Sequence, residues 1–295
     1  MLSALTPCGA AFADEVEVLR LAGGLAQLAA VAYLPREGDT LPAQVLVADS
    51  ETAQVVRFTF DAQDVVTSRD VLLDDLDDGP AALCPLGRGV LLVGGRSISV
   101  YATESVEGGQ LLQRIRGEEI SAECEAIVAG PDRIFALFGP DLYRARYADK
   151  LGALRPFEAG ADSGARALAM SDRGYLLAAR KGGPSDVSQI VYYDPRRHTA
   201  EPVVARCEGL NDPIAIAYGS SPAPVERRLY ALQADGGIYR IDAALPEPGI
   251  MRARAKLLVK IDGAVAMCAG GEGELFVVTR RGEGGGELLR VTGRL

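Results

Sequence analysis

The chain of 295 residues has no tryptophan and one histidine, His198. That histidine lies in Asp194-Pro195-Arg196-Arg197-His198-Thr199, which reads as a solvated turn between outer strands, so Ser-His-Asp catalysis has no base to work with. The five cysteines, Cys8, Cys84, Cys124, Cys207 and Cys268, form no CxxC pair and no cluster with histidine. The usual zinc frameworks are therefore excluded, and Cys84 and Cys268, set inside apolar runs, read as small core residues. No apolar run is long enough to cross a bilayer as a helix. Basic residues are the minority, 31 Lys and Arg against 40 Asp and Glu, for a formal net charge of −9. Such a surface disfavours nucleic acid and anionic membranes as partners. A sustained helical period is missing as well.

What the sequence does hold is glycine, 34 residues of it, punctuating many short apolar and aromatic runs, the texture of an all-β fold. The clearest unit is Arg227-Arg228-Leu229-Tyr230-Ala231-Leu232-Gln233-Ala234-Asp235-Gly236-Gly237-Ile238-Tyr239-Arg240-Ile241-Asp242. Two strand-like runs flank Asp235-Gly236-Gly237, which tolerates the positive φ of a tight hairpin. The segment 1–13 (MLSALTPCGAAFA) is apolar and ends Ala11-Phe12-Ala13 before Asp14, the A-x-A pattern of a signal-peptidase site. It lacks a basic start, so two readings stand. One is a shortened export signal, which puts the mature protein in the periplasm or outside the cell; the other is an apolar tail on a cytoplasmic protein. Residues 14–295 read as a single domain.

A small-apolar triplet recurs: Ala30-Val31-Ala32, Ala82-Leu83-Cys84, Ala126-Ile127-Val128, Ala167-Leu168-Ala169, Ala215-Ile216-Ala217 and Ala266-Met267-Cys268. Successive first members are 52, 44, 41, 48 and 51 residues apart. Each triplet precedes a hairpin, and a fourth run follows most of them, as in Arg69-Asp70-Val71-Leu72-Leu73. Four strands per unit of about 40–50 residues mark a β-propeller blade. Small residues suit the innermost strands, which crowd about the axis. The sixth unit ends after its third strand, and Glu15-Val16-Glu17-Val18-Leu19-Arg20-Leu21 has the character of the missing one. The expectation is an all-β, six-bladed β-propeller of four-stranded antiparallel blades. Its ring is closed by the N-terminal strand, which removes two exposed edges.

On this repeat texture the chain resembles the six-bladed propellers of the NHL and SMP-30/gluconolactonase kind. Without tryptophan it has neither the Trp-Asp signature of WD40 blades nor the tryptophan-docking repeats of quinoprotein dehydrogenases. The segment Gly209-Leu210-Asn211-Asp212-Pro213-Ile214-Ala215 resembles the Pro-Asn-Gly segment of SMP-30-like lactonases, a likeness that implies Asn211 as a metal ligand. The order here is Asn-Asp-Pro, and Gln27 stands where that family places a metal-binding Glu.

In a propeller, the loops leading into the innermost strands line one mouth of the central channel. Four positions before each triplet stand Ala26, Asp78, Ala122, Ser163, Asn211 and Asp262, with Asp77, Glu123, Glu125, Asp162 and Asp212 nearby. Oxygen donors converging on one face suit a hard cation such as Ca2+, with Asp78, Asn211 and Asp262 as ligands; Asp-Gly before a strand is also ordinary turn chemistry. Glu125 and Arg166 occupy the same position, one before the triplet, in consecutive units, where the others carry Ala29, Ala81, Ile214 and Val265. They read as an ion pair between blades or as half of a recognition site. Two functions follow. The first is a binding module that recognises a small molecule or a protein at the channel mouth, with Asp77, Asp78, Glu123, Glu125, Asp162, Arg166 and Asp212 as candidate contacts. The second is a metal-dependent hydrolase or lyase.

Overall fold

The computed structural model describes residues 16–38, 40–103, 109–117, 120–148, 150–157, 164–182, 187–196, 203–219, 228–242, 250–280, 285–293 and 295. Within them lie twenty-four strands and no helix. The chain opens with β1 (Val16–Leu25). A first blade follows, made of β2 (Leu28–Leu34), β3 (Gln44–Asp49), β4 (Gln54–Phe60) and β5 (Val66–Leu73). The second blade is β6 (Ala82–Pro85), β7 (Val90–Gly94), β8 (Ile98–Ala102) and β9 (Gln110–Ile115). The third is β10 (Cys124–Ala129), β11 (Arg133–Phe138), β12 (Asp141–Arg146) and β13 (Arg155–Pro156).

The next eight strands form one sheet. They are β14 (Ala165–Met170), β15 (Leu176–Arg180), β16 (Gln189–Tyr193), β17 (Val203–Glu208), β18 (Pro213–Gly219), β19 (Arg228–Gln233), β20 (Gly237–Asp242) and β21 (Ile250–Lys260), in spatial order β14-β15-β16-β17-β21-β20-β19-β18. The chain ends with β22 (Ala264–Ala269), β23 (Glu274–Thr279) and β24 (Gly286–Gly293), and the last sheet runs β1-β24-β23-β22. The fold is thus an all-β propeller.

The expectation of six separate blades needs correcting. Four four-stranded blades are present, and where two more were expected there is one eight-stranded sheet. The reason is a parallel seam: β17 and β21 pair from Val204↔Ile250 to Glu208↔Arg254. Each strand would otherwise be the outer edge of its own four-stranded unit, and pairing satisfies both rows of backbone groups at once. Elsewhere the N-terminal strand serves this end, β1 pairing antiparallel with β24 from Val16↔Gly293 to Leu25↔Gly286.

Six inner strands, β2, β6, β10, β14, β18 and β22, stand side by side around a central channel. The strands behind them are packed on both faces, and so read as continuous apolar runs: β3, β11 and β23 each bury every residue after the first. The core therefore lies between sheets. Leu46, Leu72 and Leu73 meet Leu91, Val93 and Tyr101 across one boundary, while Phe135, Leu137 and Phe157 meet Val191 and Tyr193 across another. The hairpin at Asp235-Gly236-Gly237 forms as the sequence suggests. Gly236 adopts φ 85°, and a Cβ there would lie 2.2 Å from the Ile261 carbonyl oxygen.

Candidate functional site in the central channel

Five inner strands carry a register shift at one equivalent place: between Leu28 and Ala30, Cys124 and Ala126, Ala165 and Ala167, Pro213 and Ala215, and Ala264 and Ala266. The extra residue of such a bulge leaves the ladder and its side chain is re-aimed. Those residues are Ala29, Glu125, Arg166, Ile214 and Val265, and all of them line the channel. In these five strands the repeat triplet is thus preceded by a built-in device for presenting one side chain to the channel. The bulge itself was invisible in the sequence; its only signal was that the position recurs.

The channel has a volume of about 480 Å³. Its wall is mostly alanine, valine, isoleucine and leucine, with Tyr33, Tyr218, Cys84 and Cys268 toward the far ends of the strands. Among the described lining residues, Glu125 and Arg166 are the only ionised side chains. They project from adjacent strands, β10 and β14. Neither forms an ion pair within 4.0 Å or a side-chain hydrogen bond among the described residues, so the direct bridge considered above is absent. They still sense each other. Burial raises the Glu125 carboxyl above the ordinary glutamate range, Arg166 draws it part of the way back, and Glu123 adds to the rise. Glu125 and Arg166 are both exposed along the channel, and the wall around Glu125 is low in polarity, which weakens its solvation. The Cys84 thiol is pushed up to about 12 by burial, so it stays protonated and unreactive at neutral pH.

The other candidates lie apart from this pair. Asp77 bridges to Arg114 at 2.5 Å, and Asp78 accepts a 3.5 Å hydrogen bond from the Ser97 hydroxyl, both at the rim of the second blade. Asp212 bridges to Lys181 at 2.6 Å. The backbone N–H groups of Asn211 and Asp212 both donate to the buried Gln233 side-chain oxygen, at 2.8 and 3.2 Å. Asn211, Asp262 and Glu123 are exposed. Asp162, Ser163, His198, Cys8 and the segment 1–13 lie outside the described residues. Among those described, no group of three or more His, Cys, Asp or Glu is arranged to hold a metal ion.

Gln233 belongs to a position the sequence did not flag. It ends its strand opposite the first residue of the inner strand, Pro213. Asp49 stands at the same place in the first blade, opposite Leu28. Its carboxylate is 3% exposed and accepts from the N–H groups of Ala26, Gln27, Glu51 and Thr52, at 2.9–3.3 Å. These side chains pin the loops that lead to the channel. Gln27 is thereby held through its backbone.

No protein-family model matches the chain, and no curated protein is similar to it in sequence. Solved structures are similar to it over nearly its full length. The pyranose dehydrogenase PQQ domain from Coprinopsis cinerea matches 95% of the chain and 96% of its own, with TM-score 0.62 and 10% identity. The PQQ-bound aldose sugar dehydrogenase from Streptomyces coelicolor matches 95% and 98%, at 0.57 and 16%. A luciferin-regenerating enzyme matches 95% and 96%, at 0.63 and 13%. The likeness is one of fold. A WD40 propeller domain, that of Doa1, scores 0.56 at 11% identity, although this chain has no tryptophan for the Trp-Asp signature. The shared feature is therefore blade geometry and not that motif. The described residues also contain no helix long and apolar enough to cross a membrane.

Proposed function

We propose that the protein is a binding module that takes a small ligand, or the tip of a protein partner, into the central channel between Arg166 and Glu125. The observation that carries this reading is the pair itself. One cation and one anion stand on bulges of adjacent strands in an apolar wall, and neither is consumed by the other. Charges in such surroundings interact more strongly than in bulk water, and the volume falls in the range of small-molecule sites, about 300–1,000 Å³. The chemistry favours a ligand bearing both an anionic and a cationic end.

Two rival readings draw less support. Pyrroloquinoline quinone carries three carboxyl groups, and the described wall answers with one guanidinium set beside a carboxylate; this donor set does not fit that cofactor. The calcium-dependent hydrolase of NHL or SMP-30/gluconolactonase kind would draw on Asp78, Asn211 and Asp262. Of these, Asp78 accepts a hydrogen bond from Ser97, and Asn211 and Asp262 are exposed residues.

Calorimetric titration with glycylglycine as a zwitterionic probe, and separately with calcium chloride, tests the proposal. Glycylglycine should bind, with Arg166→Met and Glu125→Gln each weakening it at least tenfold, and calcium should give no saturable heat. Glycylglycine that fails to bind, or that binds both variants as well as the parent, overturns it. A stoichiometric calcium site would favour the hydrolase. The extracytoplasmic location rests on the 1–13 segment, and intact mass of the protein from its native host tests it: a mature species retaining those residues refutes export.

A further inference from the structure

A second recess, of about 430 Å³, opens on the third blade, lined by Arg133, Arg144, Ala145, Arg146, Gly152, Ala153 and Arg155. Four arginines around one cavity stand out in a chain of net charge −9. Their placement follows from strand register. Arg133 lies opposite Arg146, and Arg144 lies opposite Arg155; because residues directly opposite one another share a face, all four project to the same side. Like charges set directly opposite destabilise a sheet. The first blade offers a contrast at the equivalent place. Leu46↔Arg57 and Phe135↔Arg144 are equivalent pairs in the first and third blades. Arg57 then faces Asp70, bonded at 2.5 Å, where Arg144 faces Arg155. The third blade thus has an arginine where the first blade has a counter-charge.

Arg133 is bound by Asp132 at 2.7 Å and donates to the Pro195 carbonyl at 3.3 Å, and Asp132 also lies close enough to feel Arg146. Arg144 lies over the Phe157 ring, 5.5 Å from its centroid. Arg146 and Arg155 have no side-chain hydrogen bond or ion pair among the described residues. The loop that floors the recess is held in place. Gln113 of β9 clasps Leu151 through both amide atoms, at 2.7 and 3.0 Å, and the Gly152 N–H donates to the Arg146 carbonyl at 2.8 Å.

We propose that this recess binds a multiply charged oxyanion, a phosphate- or sulfate-bearing small molecule, with Arg146 and Arg155 as its principal contacts. Guanidinium groups match such oxyanions in geometry as well as charge, and the volume admits a ligand larger than a single phosphate ion. The site lies apart from the channel and does not depend on what binds there. Calorimetry and thermal melts with pyrophosphate, and in parallel with a sulfated disaccharide, test it against sodium chloride of matched ionic strength. At least one probe should bind saturably and raise the melting temperature, and which one does so identifies phosphate or sulfate chemistry. Arg155→Asp copies the first blade's pairing of Arg57 and Asp70 and removes a like-charge contact, so it should melt no lower than the parent without ligand while binding the probe at least tenfold more weakly. Arg146→Gln should weaken binding without that compensation. The proposal fails if neither probe binds beyond the sodium chloride control, or if binding survives in Arg155→Asp.

Discussion

Glu125 and Asp49 are both carboxylates at the mouth of the fold, and their surroundings give them opposite work. Burial raises the folded-state pKa of Glu125. The stability linked to this group is therefore fully present below the ordinary glutamate pKa and is lost as pH rises through the folded-state value. Glu125→Gln should melt like the parent in acid and gain on it as the pH approaches neutrality. Arg166→Met, which removes the charge that draws the pKa back, should steepen the parent's own loss. Melting curves across that range check both signs; a Gln variant whose advantage does not change with pH would refute the account. Asp49 instead accepts bonds from four backbone N–H groups of the loops around it. Truncating it orphans buried donors, so Asp49→Ala should cost roughly 2–3 kcal/mol. Asp49→Asn, which keeps one acceptor oxygen, should cost less. Equilibrium urea unfolding measures the two, and a cost for Asp49→Ala within about 0.5 kcal/mol, the range of an ordinary surface change, would show that the clasp is not structural.

At the scale of elements, the ends of the chain and the middle of the ring solve the same edge problem in different ways. The strand β1 covers β24, and its Leu25, buried to 2% exposure, packs with Leu28, Phe276 and Leu288. The neighbouring boundary is also held by Arg290, which reaches Glu274 in its own sheet and Asp64 from the first blade. Deleting residues 1–25 strips this cover and bares the β24 edge. The expected loss is several kcal/mol, seen as a melting temperature about 10 °C lower at roughly 2–4 °C per kcal/mol, with aggregation through the freed edge. A deletion protein that melts within a degree or two of the parent and stays monomeric would contradict this. At the seam, β17 and β21 have partners on both sides, whereas β5 and β9 are outermost in their blades. Amides of residues 203–208 and 250–254 should therefore exchange with deuterium more slowly than those of β5 and β9. Equal exchange rates would mean that the parallel pairing opens freely in solution.

Taken as a whole molecule, the propeller separates stability from recognition. The sheets bury their apolar faces against one another, while five of the six inner strands turn one bulged residue toward the axis. Substitutions at Ala29, Ile214 or Val265 should thus change what the channel accepts more than they change folding. The third-blade recess is likewise added at the periphery, where register alone decides which charges meet.

Local residue chemistry was enough to specify much of this. The Ala-rich triplets, Asp235-Gly236-Gly237 and the spacing of apolar runs identify strands, turns and a propeller. They also mark the N-terminal run as a strand without a local partner, because pattern and turn geometry act over a few residues. Glu125 and Arg166 were legible as a pair for the same reason: they hold one position in the repeat. The rest depends on contacts between residues far apart in the chain. The seam between β17 and β21 joins segments some 46 residues apart, and no local signal separates an outer strand that stops from one that finds a neighbour. Whether Asp212 serves a metal or Lys181, and whether four arginines scatter or meet on one face, was decided only when the sheets took their registers. A one-residue slip would have turned those side chains to the other side.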